Sequence, residues 1–382
     1  MVTTIFNLPN KPLNATRFCV ISDVHLGHRK TPTYAIIATL YRYVVNPVAM
    51  AQLDALLITG DLFDRLLNLP MSEVSQIDEL LTKLLRLAAK FNVAVRVLEG
   101  TPSHDWRQSK RMVDINTNNQ IGADLIYVDE LTIMEDPTLG LTIGYIPDEW
   151  RTSHAQTTNE FIELMATKGY QQIDLLLMHG MFLFQIPDNV HIPAFDQEVF
   201  SPLVRYHIYI GHDHKYKTWR NITIPGSTER LAQNENSPKG LVIADLVDGK
   251  FYSKFIENKE AMLYDTLRLE TTTDEDALPL IEQRIGTMAS QGDGYLKVLL
   301  PKTTNLRQWI KERQATTVIQ LSVELVNMAE QAIVESDEFT LKDTAIHITV
   351  DNIASMIIDE LQADNDDPKT LEEEIAFIKA MM

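Results

Sequence analysis

The sequence predicts an α/β protein: a layered β-sandwich flanked by helices, with a smaller α+β domain and C-terminal helices after it. Three observations carry this. From about residue 17 to 255, apolar strand-like runs alternate with stretches of helical period. From 256 to 332 a compact strand–helix–strand–helix–strand set follows. Beyond 333 the chain holds two short amphipathic patterns and an acidic break. With 382 residues the chain can form two or three domains with a sizeable core.

The runs "RFCVISD", "DALLITGD", "AVRVLEG", "LTIGYIP", "DLLLMHG" and "HIYIGHD" are short, rich in Val, Ile and Leu, and most end in Gly, Asp or His. Such runs are buried strands. Between them, Ile77, Leu80, Leu81, Leu84, Leu85 and Ala88 recur at helix period, and "TNEFIELMATKG" ends a second helix at a glycine. The smaller domain reads as a strand near 261–270, the helix "DEDALPLIEQRIGTMAS", the strand "GYLKVLLP", the helix "NLRQWIKER" and the strand "VIQLSVELV". In the terminal segment, 333–382, Ile353, Met356, Ile357 and Leu361 share one helix face, as do Leu371, Ile375 and Ile378. These helices either fold back on the chain or dock on a partner.

Composition narrows the class. The single cysteine, Cys19, lies in an apolar run, so no internal disulfide is possible and a reducing, cytoplasmic setting is expected. No signal peptide or membrane-length apolar run is apparent, so no membrane association is expected. The formal net charge of −19 argues against broad attraction to nucleic acid. Its distribution is uneven, since residues 331–382 hold 13 Asp and Glu against 3 Lys.

The chemistry lies at the strand ends, where open α/β sheets build their sites. "SDVHLG" supplies Asp23 and His25, "TGDLFD" supplies Asp61, "LEGTPSHDW" supplies Ser103, His104 and Asp105, "LLMHG" supplies His179, and "GHDH" supplies His212 and His214. Asp23 and His25, like His212 and His214, stand two residues apart, and in extended backbone such side chains point the same way. Any one motif also fits a polar turn. The ordered set fits a metal centre better, and mixed imidazole and carboxylate ligands suit Mn, Fe or Zn. Asp61 could bridge two ions, with Asp23, His25 and His214 on one side and His179 and His212 on the other. Basic residues follow every loop: Arg29 and Lys30, Arg65, Arg107 with Lys110 and Arg111, and Lys215 with Lys217 and Arg220. Their shared placement would concentrate positive potential where a phosphodiester lies, and Tyr216 and Trp219 could stack on bases.

The order D-x-H, G-D, a histidine–aspartate element, a strand-end H-G and G-H-x-H resembles the calcineurin-like metallophosphoesterase superfamily. More narrowly, "ISDVHLGH", "ITGDLFD", "IYIGHDHKY" and "IPGSTERL…SPKGLVIADL" resemble SbcD-type DNA nucleases. The resemblance covers roughly residues 17–255, and extends weakly through a small domain similar to that family's capping domain. It implies a nuclease domain at 1–255, a DNA-binding capping domain at 256–332, and a segment at 333–382 that binds the coiled-coil base of an SMC-like ATPase. It implies 3′→5′ exonuclease and single-strand endonuclease activity in DNA end processing, in a bacterial cell or phage-infected host. Two divalent ions, expected to be Mn²⁺ and about 3.5–4 Å apart, would clamp the phosphate and activate a water. His104 would serve as general acid, with Asp105 orienting it or capping a turn. Arg29, Arg65, Arg107 and Lys215 would hold the DNA. A homodimer is usual in the family, and the helix around Ile77–Leu85 could contribute to it.

One departure stands out: where the family has Gly-Asn-His-Asp, this chain reads Gly100-Thr101-Pro102-Ser103-His104-Asp105. Ser103 is the expected substitute for the asparagine oxygen, and Thr101 the less favoured one. Asp64 stands where some relatives carry histidine. Two other readings compete: a metallophosphoesterase acting on nucleotides or phosphoproteins, and a DNA-binding subunit whose site has weakened.

Overall fold

Runs of Val, Ile and Leu with no polar face have to be covered on both sides, and this requirement sets the layering. The computed structural model describes residues 8–68, 72–148, 153–187, 190, 192–233 and 235–326. The expected C-terminal helices at 333–382, and the end of the small domain from 327 to 332, lie outside the described residues.

The first strands in chain order are β1 (Thr16–Ile21), β2 (Ala55–Thr59), β3 (Ala94–Leu98), β4 (Leu125–Val128), β5 (Thr132–Asp136), β6 (Leu141–Ile146), β7 (Ile173–His179) and β8 (Val204–Gly211). They are followed by β9 (Lys217–Trp219), β10 (Ile222–Ile224), β11 (Gly240–Val247), β12 (Lys250–Glu257), β13 (Leu263–Arg268), β14 (Gly294–Pro301) and β15 (Ile319–Val326).

Two mixed six-stranded sheets result, ordered β12-β11-β1-β2-β3-β4 and β5-β6-β7-β8-β10-β9. In the first, β1 to β4 run parallel, while β11 and β12 are antiparallel. In the second, β6, β7, β8 and β10 run parallel. Phe18, Val20 and Leu57 of the first sheet meet Tyr145, Leu177 and Tyr209 of the second in one buried cluster. The outer face of each sheet is covered by helices, giving the layered α/β architecture. All six runs singled out in the sequence are strands, and the strands that escaped notice include the short or half-exposed β4, β5, β9 and β12.

The helix Ser72–Phe91 buries all six residues of the expected stripe against the first sheet. Burying one such side chain is worth about 1.5–3 kcal/mol before the entropy of ordering is subtracted. The stripe is therefore used inside its own core and is not a free surface for a second copy.

The small domain is a parallel sheet, β13-β14-β15, with the helices Asp274–Gln291 and Leu306–Gln314 between successive strands. Ile281, Ile285, Leu296, Val298, Ile310 and Ile319 form its core. Strand β12 runs to Glu257 in the first sheet, so the change of domain falls slightly later than residue 255. Several contacts fasten the small domain to the body. Tyr264 of β13 shares a 2.6 Å hydrogen bond with Thr31, and the buried Glu229 accepts bonds from Thr39 Oγ1, Asn258 Nδ2 and the Met262 amide. Among the described residues, no helix is long and apolar enough to cross a membrane.

Candidate metal centre

The candidate ligands gather at the carboxyl ends of β1, β2, β7 and β8, where parallel strands stop and loops begin. The reason they converge differs from the alternation expected of extended backbone. Asp23, His25 and Asp61 have left-handed φ of 50°, 53° and 50°, and His212 has φ 103°. Such conformations are costly for residues with a Cβ, and they cluster at functional sites. Tight turns, rather than strand pleat, aim these side chains inward. Close glycines make room for them: a Cβ on Gly60 (φ +88°) would lie 2.1 Å from His179 Nδ1, and one on Gly100 would lie 2.1 Å from the Asp61 amide nitrogen.

Three overlapping groups have donor atoms close enough to hold metal ions: Asp23, His25 and His214; His25, Asp61 and His104; and Asp61, His179 and His212. Asp61 stands at the centre. Its Oδ1 lies 3.2 Å from His179 Nε2, while its Oδ2 lies 2.9 Å from His104 Nδ1 and 3.6 Å from His25 Nε2. Burial would raise the Asp61 carboxyl, but the surrounding imidazoles, His179 foremost, hold it well below the ordinary carboxylate range.

Outer partners orient the imidazoles. His25 Nδ1 lies 3.1 Å from Asp64, His214 Nδ1 lies 2.6 Å from Glu235, and His179 Nδ1 lies 2.8 Å from the Thr59 carbonyl. Each partner is an acceptor, so each Nδ1 donates and each Nε2 is turned to the centre. The Nε2 atoms of His25 and His214 then face one another across 3.1 Å. A proton held between them, or a bound cation in its place, satisfies that approach. Asp23 supplies a second sign: its Oδ1 accepts from the His212 amide, but its Oδ2 is buried with no hydrogen-bond partner. Both observations fit a bound metal, and the His/Asp groups could hold metal ions.

Protonation states follow the same arrangement. Burial lowers the His179 imidazole, yet the adjacent Asp61 carboxylate overcomes this and pushes it up to about 10. His104 is raised by its hydrogen bond to Asp61, whereas His212 is lowered by burial and by the charge of His179. Burial lowers His214 too, but its bond to Glu235 wins and the imidazole is raised.

Two expectations are corrected. Ser103 is exposed, because Pro102 opens a single helical turn, Pro102–Asp105, that carries it outward. Thr101 is the residue of this loop that enters the cluster, its Oγ1 lying 3.3 Å from Asp61 Oδ2, His179 Nε2 and His212 Nδ1 alike. Asp105 does not orient His104. It is fully buried, accepts from the Phe63 and Gly100 amides at 2.8 and 2.7 Å, and so clamps the two loops that carry Asp61 and His104.

The basic residues divide. Arg29, Lys30, Arg107, Lys110 and Lys215 are exposed. Arg65 instead donates to the Gly27 carbonyl and pairs with Glu73, so it is a strut between loops rather than a free cation. Arg111 pairs with Asp78, Lys217 with Asp213 and Arg220 with Glu198. Tyr216 stacks on Phe255 and Trp219 on Phe184, so both aromatics are engaged in packing.

Sequence reading ranked Thr101 below Ser103, gave Asp64 no role, and missed Glu235 and Lys239 as members of the site. The last two carried a faint signal, an acid and a base four residues apart just ahead of the Gly240 strand.

No family model matches the chain, and no curated protein matches it. Among solved structures, one chain of 11% identity superposes with a TM-score of 0.39, covering 63% of this chain and 99% of its own length.

Proposed function

We propose that this chain is a metal-dependent phosphodiesterase acting on DNA, the nuclease subunit of an assembly with an SMC-like coiled-coil ATPase. The observation that carries the reading is the position of Asp61, whose two oxygens face different histidine groups. One carboxylate shared between two clusters suits a pair of cations better than a single one, and Mn²⁺ suits the mixed donor set. Asp23, His25, His214 and Asp61 would hold one ion, and Asp61, His179, His212 and Thr101 the other. When bound, the ions neutralise the phosphate and supply an activated water.

The chain's own residues do the rest. His104 is the most exposed of the imidazoles around Asp61, with 37% of its side chain accessible, against 2% for His25 and 0% for His179. A substrate can reach it, and its bond to Asp61 favours the protonated form, so it can deliver a proton to the departing sugar oxygen. Arg29, Arg107 and Lys215 are free to meet the phosphate backbone, which offsets a strongly acidic chain only locally. Asp64 and Glu235 fix the ring orientation of His25 and His214.

The test is a Mn²⁺ titration on end-labelled duplex DNA, with and without the cognate ATPase. Shortening of duplex ends that depends on Mn²⁺ is the expected result. Hydrolysis of small phosphodiesters without any shortening of DNA would support a nucleotide- or phosphoprotein-directed enzyme instead. No hydrolysis and no bound metal by elemental analysis would leave only a binding subunit.

A further inference from the structure

We propose that Trp106 and Arg107 grip an unstacked nucleobase beside the scissile phosphate, which makes the site selective for base-bearing phosphodiesters. The inference rests on the phosphodiesterase reading above and adds the substrate feature that it leaves open.

Singly exposed apolar residues are common and need no explanation. Trp106 is different because of what is spent to present it. The two residues are consecutive, neither is glycine, and both adopt left-handed φ, 48° and 57°. Each such conformation is costly for a residue with a Cβ. Packing does not repay this, since Trp106 is 54% exposed and the Arg107 side chain 73% exposed.

The turn is held from beneath by buried acids. Asp105 accepts from the Phe63 and Gly100 amides, and the buried Glu99 accepts from the Arg107 amide on one oxygen and from Tyr127 Oη, at 2.9 Å, on the other. The Trp106 indole N–H donates to the Ser103 carbonyl at 2.7 Å, which fixes the ring against the same turn that carries His104. An aromatic ring fixed before a ligand arrives loses little freedom on binding. Arg107 has only a 3.7 Å approach to Asp129, and an exposed pair of that kind is worth little, so its guanidinium is available. A flat apolar ring with a cation next to it suits a nucleobase attached to a phosphate, whatever the base. A phosphoserine or phosphothreonine peptide offers no such ring at its phosphate.

The test compares a short single-stranded oligothymidylate with the same oligonucleotide carrying abasic terminal nucleotides. Wild-type protein should prefer the base-bearing substrate about tenfold in kcat/KM. Trp106→Ala should abolish the preference and Trp106→Phe should keep most of it. Trp106→Gly should abolish it too while raising the thermal midpoint, because glycine relieves the left-handed strain. A purely structural tryptophan would not separate those two readouts. Binding is followed independently by indole fluorescence, where quenching by oligothymidylate should vanish in Trp106→Phe. Equal rates on both substrates in the wild type, or a preference that survives in Trp106→Ala, overturns the inference while leaving the nuclease reading intact. Absence of hydrolysis on every phosphodiester overturns the nuclease reading, and the fluorescence experiment still decides for or against the grip.

Discussion

Lys239 Nζ lies 2.9 Å from Glu235 Oε2, and the lysine side chain is wholly buried. The other Glu235 oxygen accepts a hydrogen bond from His214 Nδ1, and Lys239 also donates to the His214 carbonyl. A buried cation thus keeps Glu235 ionised, and Glu235 keeps His214 Nε2 turned to the candidate metal site. Replacing Lys239 with Met should leave a buried carboxylate uncompensated, destabilising the fold by about 3 kcal/mol and loosening metal at His214. Urea unfolding and metal content measure the two effects. The double variant Lys239→Met/Glu235→Gln should recover stability but not metal affinity, and recovery of both would contradict the relay.

His104→Asn should lower turnover by about a hundredfold to ten-thousandfold while metal content stays close to wild type. The imidazole bonds to Asp61 but projects furthest into solvent, as an acid should and a buried ligand need not. Elemental analysis of the purified variant decides, since parallel loss of both metals would make His104 a ligand.

Thr101→Ala should weaken metal retention at the His179 and His212 side of the centre, whereas Ser103→Ala should not. Thr101→Asn should retain metal at least as well as the parent. Equilibrium dialysis against Mn²⁺ separates the three, and loss in Ser103→Ala alone would restore the serine assignment.

The metal-free protein should lose stability on the alkaline side. His179 is raised from 6.5 to about 10 by Asp61, so its contribution is complete below about 6.5 and disappears as pH rises through about 10. Asp61 is depressed, so its own contribution is present above the ordinary carboxylate value of 3.8 and fades as pH falls. Metal loading has to displace the His179 proton and should therefore tighten with rising pH and release protons. Denaturant unfolding across this range, repeated on Asp61→Asn, tests the pairing. An alkaline loss of the same size in the variant would rule it out.

Most of the scaffold was legible because its strands are continuous apolar runs, and its site because five histidines stand at their ends. What was not legible depends on local backbone. Spacing could not tell that Asp23 and His25 sit in left-handed turns, nor that Pro102 starts a helical turn which throws Ser103 outward and leaves Thr101 within. Arg65, Tyr216 and Trp219 looked available because their partners, Glu73, Phe255 and Phe184, lie on other elements. Half-exposed β5 and β12 carry too few apolar residues to announce themselves.

The hydrogen bond between Tyr264 and Thr31 joins the first strand of the small domain to the loop that leaves the metal centre through His25 and His28. Thr31 Oγ1 also donates to the Arg230 carbonyl, next to the buried Glu229. A pull on β13 is therefore felt first by a segment only six residues from a ligand. Movement of the small domain would reach the candidate metal site in part through this hydroxyl pair.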